Sequence, residues 1–331
     1  MSSDPMRQPL GCLRGITAPF FTPCDATGAL DLDGAAALTD WLAGKRCVRS
    51  VFVRSGMGKM FTFTVDETRR LARAVHEANR GRMGLLVGAA GEWLDKDTGA
   101  YPDPARYTDQ AVELTRFAAE LGADAAVHVL PSALGPEPPG GAEEAIVAYV
   151  QAVHDAADIP IVLYQPAGLP EPYRLTAGLL RRLLSLPRLA GAKVSTTDDA
   201  VFGPLADAVR GAPFSLICGH EGYYLKGLRQ GSVGVIGQGC MGYPEILDGV
   251  QRGYFSGNLE LAERAEAAVW RALDATKGLD STVAFKQLFA KKGVRVQPFD
   301  RSGAAPYDSD TIDRLERELD ALIAPYAPVS D

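Results

Sequence analysis

A chain of 331 residues, 47% hydrophobic and 23% charged, is too long for one small domain and carries enough apolar side chains for a large core. That fits two ordinary domains or one α/β barrel with an appendage and excludes a disordered chain. The formal net charge of −7 argues against a general nucleic-acid binder, which needs a basic face, and no apolar run is long enough to span a bilayer.

In chain order, residues 1–14 contain Asp4, Pro5, Arg7 and Pro9 and lack the apolar core of a signal peptide, so a cytoplasmic protein is expected. Short apolar runs then alternate with longer amphipathic segments, the pattern of parallel strands joined by crossover helices. Strands are predicted over residues 15–21, 50–54, 84–88, 123–129, 160–164, 189–194, 214–218 and 233–237. Helical periodicity follows each, for example over 65–79, 106–121, 142–156 and 177–186. Eight such units predict a (β/α)8 TIM barrel over residues 1–256 rather than an open sheet.

Residues 257–331 read as a C-terminal extension of three helices, 259–276, 282–292 and 309–323, punctuated by Gly278, Gly293 and Pro298 and expected to pack outside the barrel. The second presents an apolar face around Phe285 and Phe289, the mark of a core or subunit contact. Two loops, 92–104 and 132–141, exceed what a barrel needs. Both follow strands at the end where barrels place their active sites, as substrate lids or as plain surface insertions.

One apolar run, Leu189-Ala190-Gly191-Ala192-Lys193-Val194-Ser195, is interrupted by a single lysine. Burial disfavours an ammonium, so Lys193 is expected to fall from about 10.4 toward about 7 to 8, where the neutral amine attacks carbonyls to form a Schiff base. The alternative is a strand-end lysine reaching out to solvent. Tyr164 ends the neighbouring strand, and a phenol beside an imine-forming amine shuttles protons. Its alternative is a ring packed at the rim.

The turn Ser55-Gly56-Met57-Gly58-Lys59 after strand two offers converging backbone N–H groups for a carboxylate, or glycines that serve only the bend. Arg54, Lys59, Gln165, His128, His220 and Gln238 also fall near strand ends, as contacts for a hydroxylated or acidic substrate tail or as satisfied rim residues. The five cysteines, Cys12, Cys24, Cys47, Cys218 and Cys240, show neither CxxC nor metal-ligand spacing and are expected to be reduced. Only four histidines exist, and His76 and His154 fall on predicted helices, so no metal site is expected.

Gly15-Ile16-Thr17-Ala18-Pro19-Phe20-Phe21-Thr22-Pro23, the turn 55–59 followed by Phe61-Thr62-Phe63-Thr64, Tyr164 with Pro166, Gly191-Ala192-Lys193, and Gly231-Ser232-Val233-Gly234-Val235-Ile236-Gly237 occur in this order on these strands. Together they resemble the dihydrodipicolinate synthase and N-acetylneuraminate lyase superfamily of class I Schiff-base aldolases. The resemblance covers most of the chain. It implies a barrel with a helical extension, usually a homotetramer, acting on pyruvate or longer 2-oxo acids without metal or organic cofactor. For Lys193 it implies imine formation, and for Tyr164 the proton relay.

Departures narrow the expectation. The family's strand-two turn usually reads Gly-Thr-Thr-Gly-Glu, so here the carboxylate would rest on the N–H groups of Gly56 and Met57 and the relay would need Ser55 or water. No arginine follows in Tyr164-Gln165-Pro166-Ala167-Gly168-Leu169, and Leu130-Pro131-Ser132-Ala133 lacks the aromatic pair that reaches a neighbouring subunit, a place Tyr101 or Tyr107 would have to fill. A lysine-biosynthetic synthase is therefore not expected. The expectation is a lyase, aldolase or dehydratase, on pyruvate or a 2-oxo-3-deoxy sugar acid, with a small-molecule partner, no nucleic acid or membrane, and a homo-oligomeric state (dimer or tetramer). The alternative is a catalytically degenerate barrel that binds a carbonyl metabolite as a sensor or assembly component.

Overall fold

Eight parallel strands close on themselves in the computed structural model, which describes residues 10–93 and 100–327. They are β1 Gly15–Pro19, β2 Val48–Val53, β3 Gly84–Gly88, β4 Ala125–Val129, β5 Ile161–Gln165, β6 Leu189–Val194, β7 Ser215–Cys218 and β8 Gly234–Val235, paired in sequence order with β8 returning to β1. The helices are α1 Leu32–Gly44, α2 Val65–Asn79, α3 Pro104–Leu121, α4 Ala142–Ala156, α5 Ala177–Leu183, α6 Asp199–Ala208, α7 Tyr224–Arg229, α8 Gly239–Gly242 and α9 Pro244–Ser256. The first of the two long loops, 92–104, lies partly outside the described residues.

Local chemistry sets the boundaries. Thr64 and Glu67 form a reciprocal capping box that starts α2, and Asp103 caps α3 ahead of Pro104 at its first turn. Gly257 takes φ 77° and ends α9. Strand two stops one residue earlier than the sequence predicts because Arg54, at φ 52°, turns the chain out of the sheet. Strand eight is shorter than predicted. Its Gly234 lies against the backbone of Leu13 and Gly15, where any side chain would collide.

Paired residues of neighbouring parallel strands share a face. Val129, Tyr164, Lys193 and Ile217 form one such row across β4 to β7, while His128, Leu163 and Ala192 belong to the opposite set.

Beyond Gly257 run α10 Leu259–Ala275, α11 Ser281–Lys291 and α12 Ser309–Ile323. Helix α10 packs along α9. Helix α11 does not simply lie outside the barrel: it reaches the strand-end rim. Thr282 donates to the Met57 carbonyl at 3.1 Å and the Lys286 amine to the Thr22 carbonyl at 2.5 Å. Its apolar face is core, with Phe285 stacked on Phe21 and packed tightly over Gly242. No helix of the described residues is long and apolar enough to cross a membrane.

Candidate active site

Register brings Lys193 and Tyr164 together. They are paired residues of β6 and β5, and the Lys193 Nζ sits 4.1 Å from the centre of the Tyr164 ring. Both are nearly enclosed, at 4% and 6% exposure. An edge-on contact with Phe52 of β2, centroids 6.4 Å apart, also packs against the phenol ring.

The phenol hydroxyl ends over Gly56. A Cβ added there would lie 2.7 Å from the Tyr164 oxygen, so this glycine serves the close approach and not a special backbone angle. Gly58 is likewise required by crowding, since its Cβ would meet the Phe20 carbonyl at 2.5 Å. The left-handed positions that shape the turn are Arg54 and Lys59, at φ 52° and 62°. Among the described residues, the N–H groups of Gly56 and Met57 donate to no protein acceptor. They remain available to an anion beside the phenol.

Ser55 is not presented as a proton relay. Its buried hydroxyl accepts from the Gly58 N–H at 3.0 Å and donates to the Phe20 carbonyl at 3.2 Å, so its single proton is committed to shaping the turn. Lys59 is also committed. It pairs with Asp280 at 3.0 Å and Asp300 at 2.9 Å, both beyond the barrel. Burial works against its charge, but the hydrogen bonds to Asp300 and Asp280 more than offset that and hold the ammonium above the ordinary lysine range. A substrate tail would have to compete with two carboxylates for it.

Several other candidates serve the scaffold. Arg54 is buried, has no carboxylate partner among the described residues, and donates to the backbone carbonyls of Met60, Gly88, Ala90 and Gly91. It ties the loop after β2 to the loop after β3, and burial pushes its guanidinium down to about 10. His128 faces away from Lys193: its ring lies between Thr115 of α3 at 3.1 Å and Tyr149 of α4 at 2.9 Å, and burial, followed by the Arg54 charge, drives it down to about 3. Gln165, one residue past the phenol and on the other face, accepts from the Leu175 N–H at 2.7 Å.

His220 uses Nδ1 to accept from the Gly222 N–H at 3.1 Å and leans toward Trp270 of α10. Gln238 donates to Thr276 at the end of α10 at 3.2 Å. All five cysteines are free. Cys218 and Cys240 are fully buried thiols, Cys218 bonded to Ser232 and pushed up to about 12 by burial. Tyr107 cannot replace an inter-subunit aromatic. It is fully buried in α3 and stacked on Tyr149 of its own chain. Tyr101 is 57% exposed.

Two features escaped the sequence reading. Glu221, nearly fully buried after β7, accepts from the Gly239 N–H at 2.8 Å and the Tyr243 hydroxyl at 3.1 Å, locking the loop after β7 onto the exit of β8. Its carboxylate and the Lys193 amine both act electrostatically on Cys240. The second is the group of α11 and its flanks, Asp280, Thr282, Lys286 and Asp300, which grips the strand-two turn. Thr282 and Lys286 carried a signal, polar side chains embedded in an apolar helix face, whereas Asp280 caps that helix and Asp300 lies in the chain beyond it.

Comparison with known proteins places this geometry. A 4-hydroxy-tetrahydrodipicolinate synthase of Rhodospirillum centenum is 30% identical over 247 residues, covering 74% of this chain and 77% of the relative. An N-acetylneuraminate lyase of Danio rerio is 28% identical over 255 residues, covering 76% and 78%. The solved sialic acid aldolase of Ruminococcus gnavus shares the fold with a TM-score of 0.82 at 20% identity, over 96% of this chain and 100% of that one. With a family model matched over residues 12–322, a closed barrel and a lysine set against a tyrosine inside it, the chain belongs to the dihydrodipicolinate synthetase family.

Proposed function

We propose that this protein is a class I lyase that binds a 2-oxo acid through a Schiff base on Lys193. The observation that carries the reading is the enclosed Lys193 amine held 4.1 Å from the Tyr164 ring. The amine attacks the C2 carbonyl to give a carbinolamine, and Tyr164 passes the proton that lets the C2 oxygen leave as water. The resulting iminium draws electrons from C3. In an aldol substrate the C3–C4 bond then breaks, its electrons entering the enamine and the C4 hydroxyl proton leaving to a base. In a sugar acid, loss of a C3 proton is followed by departure of the C4 hydroxyl as water.

The free N–H groups of Gly56 and Met57 are suited to the substrate carboxylate, beside the phenol that serves the neighbouring carbon. Pyruvate and 2-oxo-3-deoxy sugar acids carry the required carboxylate next to a ketone. Family membership supports a lyase of this class, and the absence of an arginine in Tyr164–Leu169 favours a substrate other than that of the lysine-biosynthetic synthases.

The test is borohydride reduction with pyruvate and with a panel of 2-oxo-3-deoxy sugar acids, followed by peptide mass mapping. A reduced adduct on the Lys193 peptide, absent in Lys193→Ala, is the expected result. A ligand-dependent rise in Tm with neither adduct nor product would select a carbonyl-binding sensor instead.

A further inference from the structure

At the opposite end of the barrel from Lys193, the starts of β1, β2 and β8 and the helix α9 enclose an open cleft of about 730 Å³. Among the described residues, five arginines line it: Arg14 before β1, Arg46 and Arg49 at the start of β2, Arg82 before β3, and Arg252 on α9. On a chain whose net charge is −7, this is a local reversal of sign.

Among the described residues, the only acid in the lining is Asp248, already engaged by the Gln251 amide at 2.8 Å and by Arg252 at 2.7 Å. Arg82 is held by Asp40 and by the Ala78 and Asn79 carbonyls. The side chains of Arg14, Arg46 and Arg49 have no hydrogen-bond or ion-pair partner among the described residues. Like charges confined to one cleft repel each other, and a ligand with more than one negative charge relieves that repulsion while matching the planar guanidinium forks. Phe255, also in the lining, leaves 68% of its surface uncovered, an aromatic face beside the cations. The volume is that of a small-molecule site.

We propose that this cleft binds a small phosphate-bearing polyanion, with Arg14, Arg46 and Arg49 as phosphate contacts and Phe255 as a stacking face for any planar base the ligand carries. The site is separate from the Lys193 pocket and stands or falls independently of it.

Calorimetric titration of the full chain with inorganic pyrophosphate and with ATP, each at low and high salt, tests the proposal. Saturable binding that weakens with salt is expected, reduced at least about tenfold in the Arg46→Gln/Arg49→Gln variant. The thermal melt without ligand should show that this variant still folds. Should it not, Arg14→Gln, in the segment ahead of β1, provides the same comparison. Tighter binding of ATP than of pyrophosphate, with the difference abolished in Phe255→Ala, identifies a nucleotide; equal binding identifies the phosphate groups alone. No saturable binding of either compound, binding unchanged in the arginine variants, or uptake only of RNA or an acidic protein overturns the proposal.

Discussion

Lys193 and Tyr164 face one another because they are paired across two adjacent parallel strands, and the amine lies over the phenol ring 4.1 Å from its centre. The pairing assigns separable tasks. Lys193→Met should abolish the borohydride-trapped adduct. Tyr164→Phe keeps the ring but removes its proton, so single-turnover trapping should still label Lys193 while the rate falls on the order of a hundredfold to a thousandfold. Equal rates for Tyr164→Phe and the parent would remove the phenol from the chemistry.

Gly56 lies directly beneath the phenol hydroxyl, and a methyl group there would sit 2.7 Å from it. Gly56→Ala is expected to swing the ring away and lower turnover on the order of tenfold to a hundredfold, with little change in Tm. Steady-state kinetics beside a thermal melt distinguishes displacement from unfolding.

The Lys59 contacts with Asp280 and Asp300 hold the strand-two turn to the segment beyond the barrel. Because the lysine is partly solvated, Lys59→Met should cost only about 1 to 2 kcal/mol in urea unfolding. Its larger effect should be on KM for a 2-oxo acid, since the amides of Gly56 and Met57 ride on that turn. A kcat defect with KM unchanged would contradict this.

His128 is buried between α3 and α4 and driven from about 6.5 down to about 3. Between those values the unfolded chain takes up a proton that the folded chain refuses, so the unfolded state binds more protons and stability falls as pH drops from 6.5 toward 3. The loss from this group is on the order of 4 to 5 kcal/mol. Urea titrations of the parent and His128→Asn across that window should diverge progressively at the alkaline end and converge at the acid end.

Lys286 presents the opposite limb of the pH profile. Its fully buried amine donates to two carbonyls, of Thr22 and Phe299, and burial lowers it from 10.5 to about 8. Below pH 8 both states are protonated and the cost of the buried charge is undiminished. From pH 8 to 10.5 the folded state has released a proton that the unfolded state keeps, so stability rises with pH by about 3 kcal/mol. The parent should gain on Lys286→Met over that interval in denaturant titrations.

The barrel was legible because each strand carried an apolar run with a turn residue after it, and α2, α4 and α12 began and ended where their periodicity said. The Lys193–Tyr164 pairing was legible for a related reason: adjacent parallel strands align their ends. What proximity to a strand end does not reveal is which face a residue occupies. His128 is one residue from Val129, which pairs with Tyr164, and that single step turns it outward against α3 and α4. Gln165 is displaced from the phenol in the same way. Arg54 misleads differently, because one left-handed residue redirects its side chain into a knot of carbonyls that no pattern of hydrophobicity encodes. Lys286 was hidden within an apolar helix face, where a lone cation looks like an interruption and not like a tether.

The grip of α11 on the strand-two turn has a consequence for anyone reshaping this protein. Chain cut away before residue 280 would remove a hydroxyl, an ammonium and a carboxylate from contact with Met57, Thr22 and Lys59. The remainder would retain every strand and still lose the footing of the turn that carries Gly56 and Met57. Grafts between relatives should therefore carry the turn and the distant helix as one unit, even though more than two hundred residues separate them in the chain.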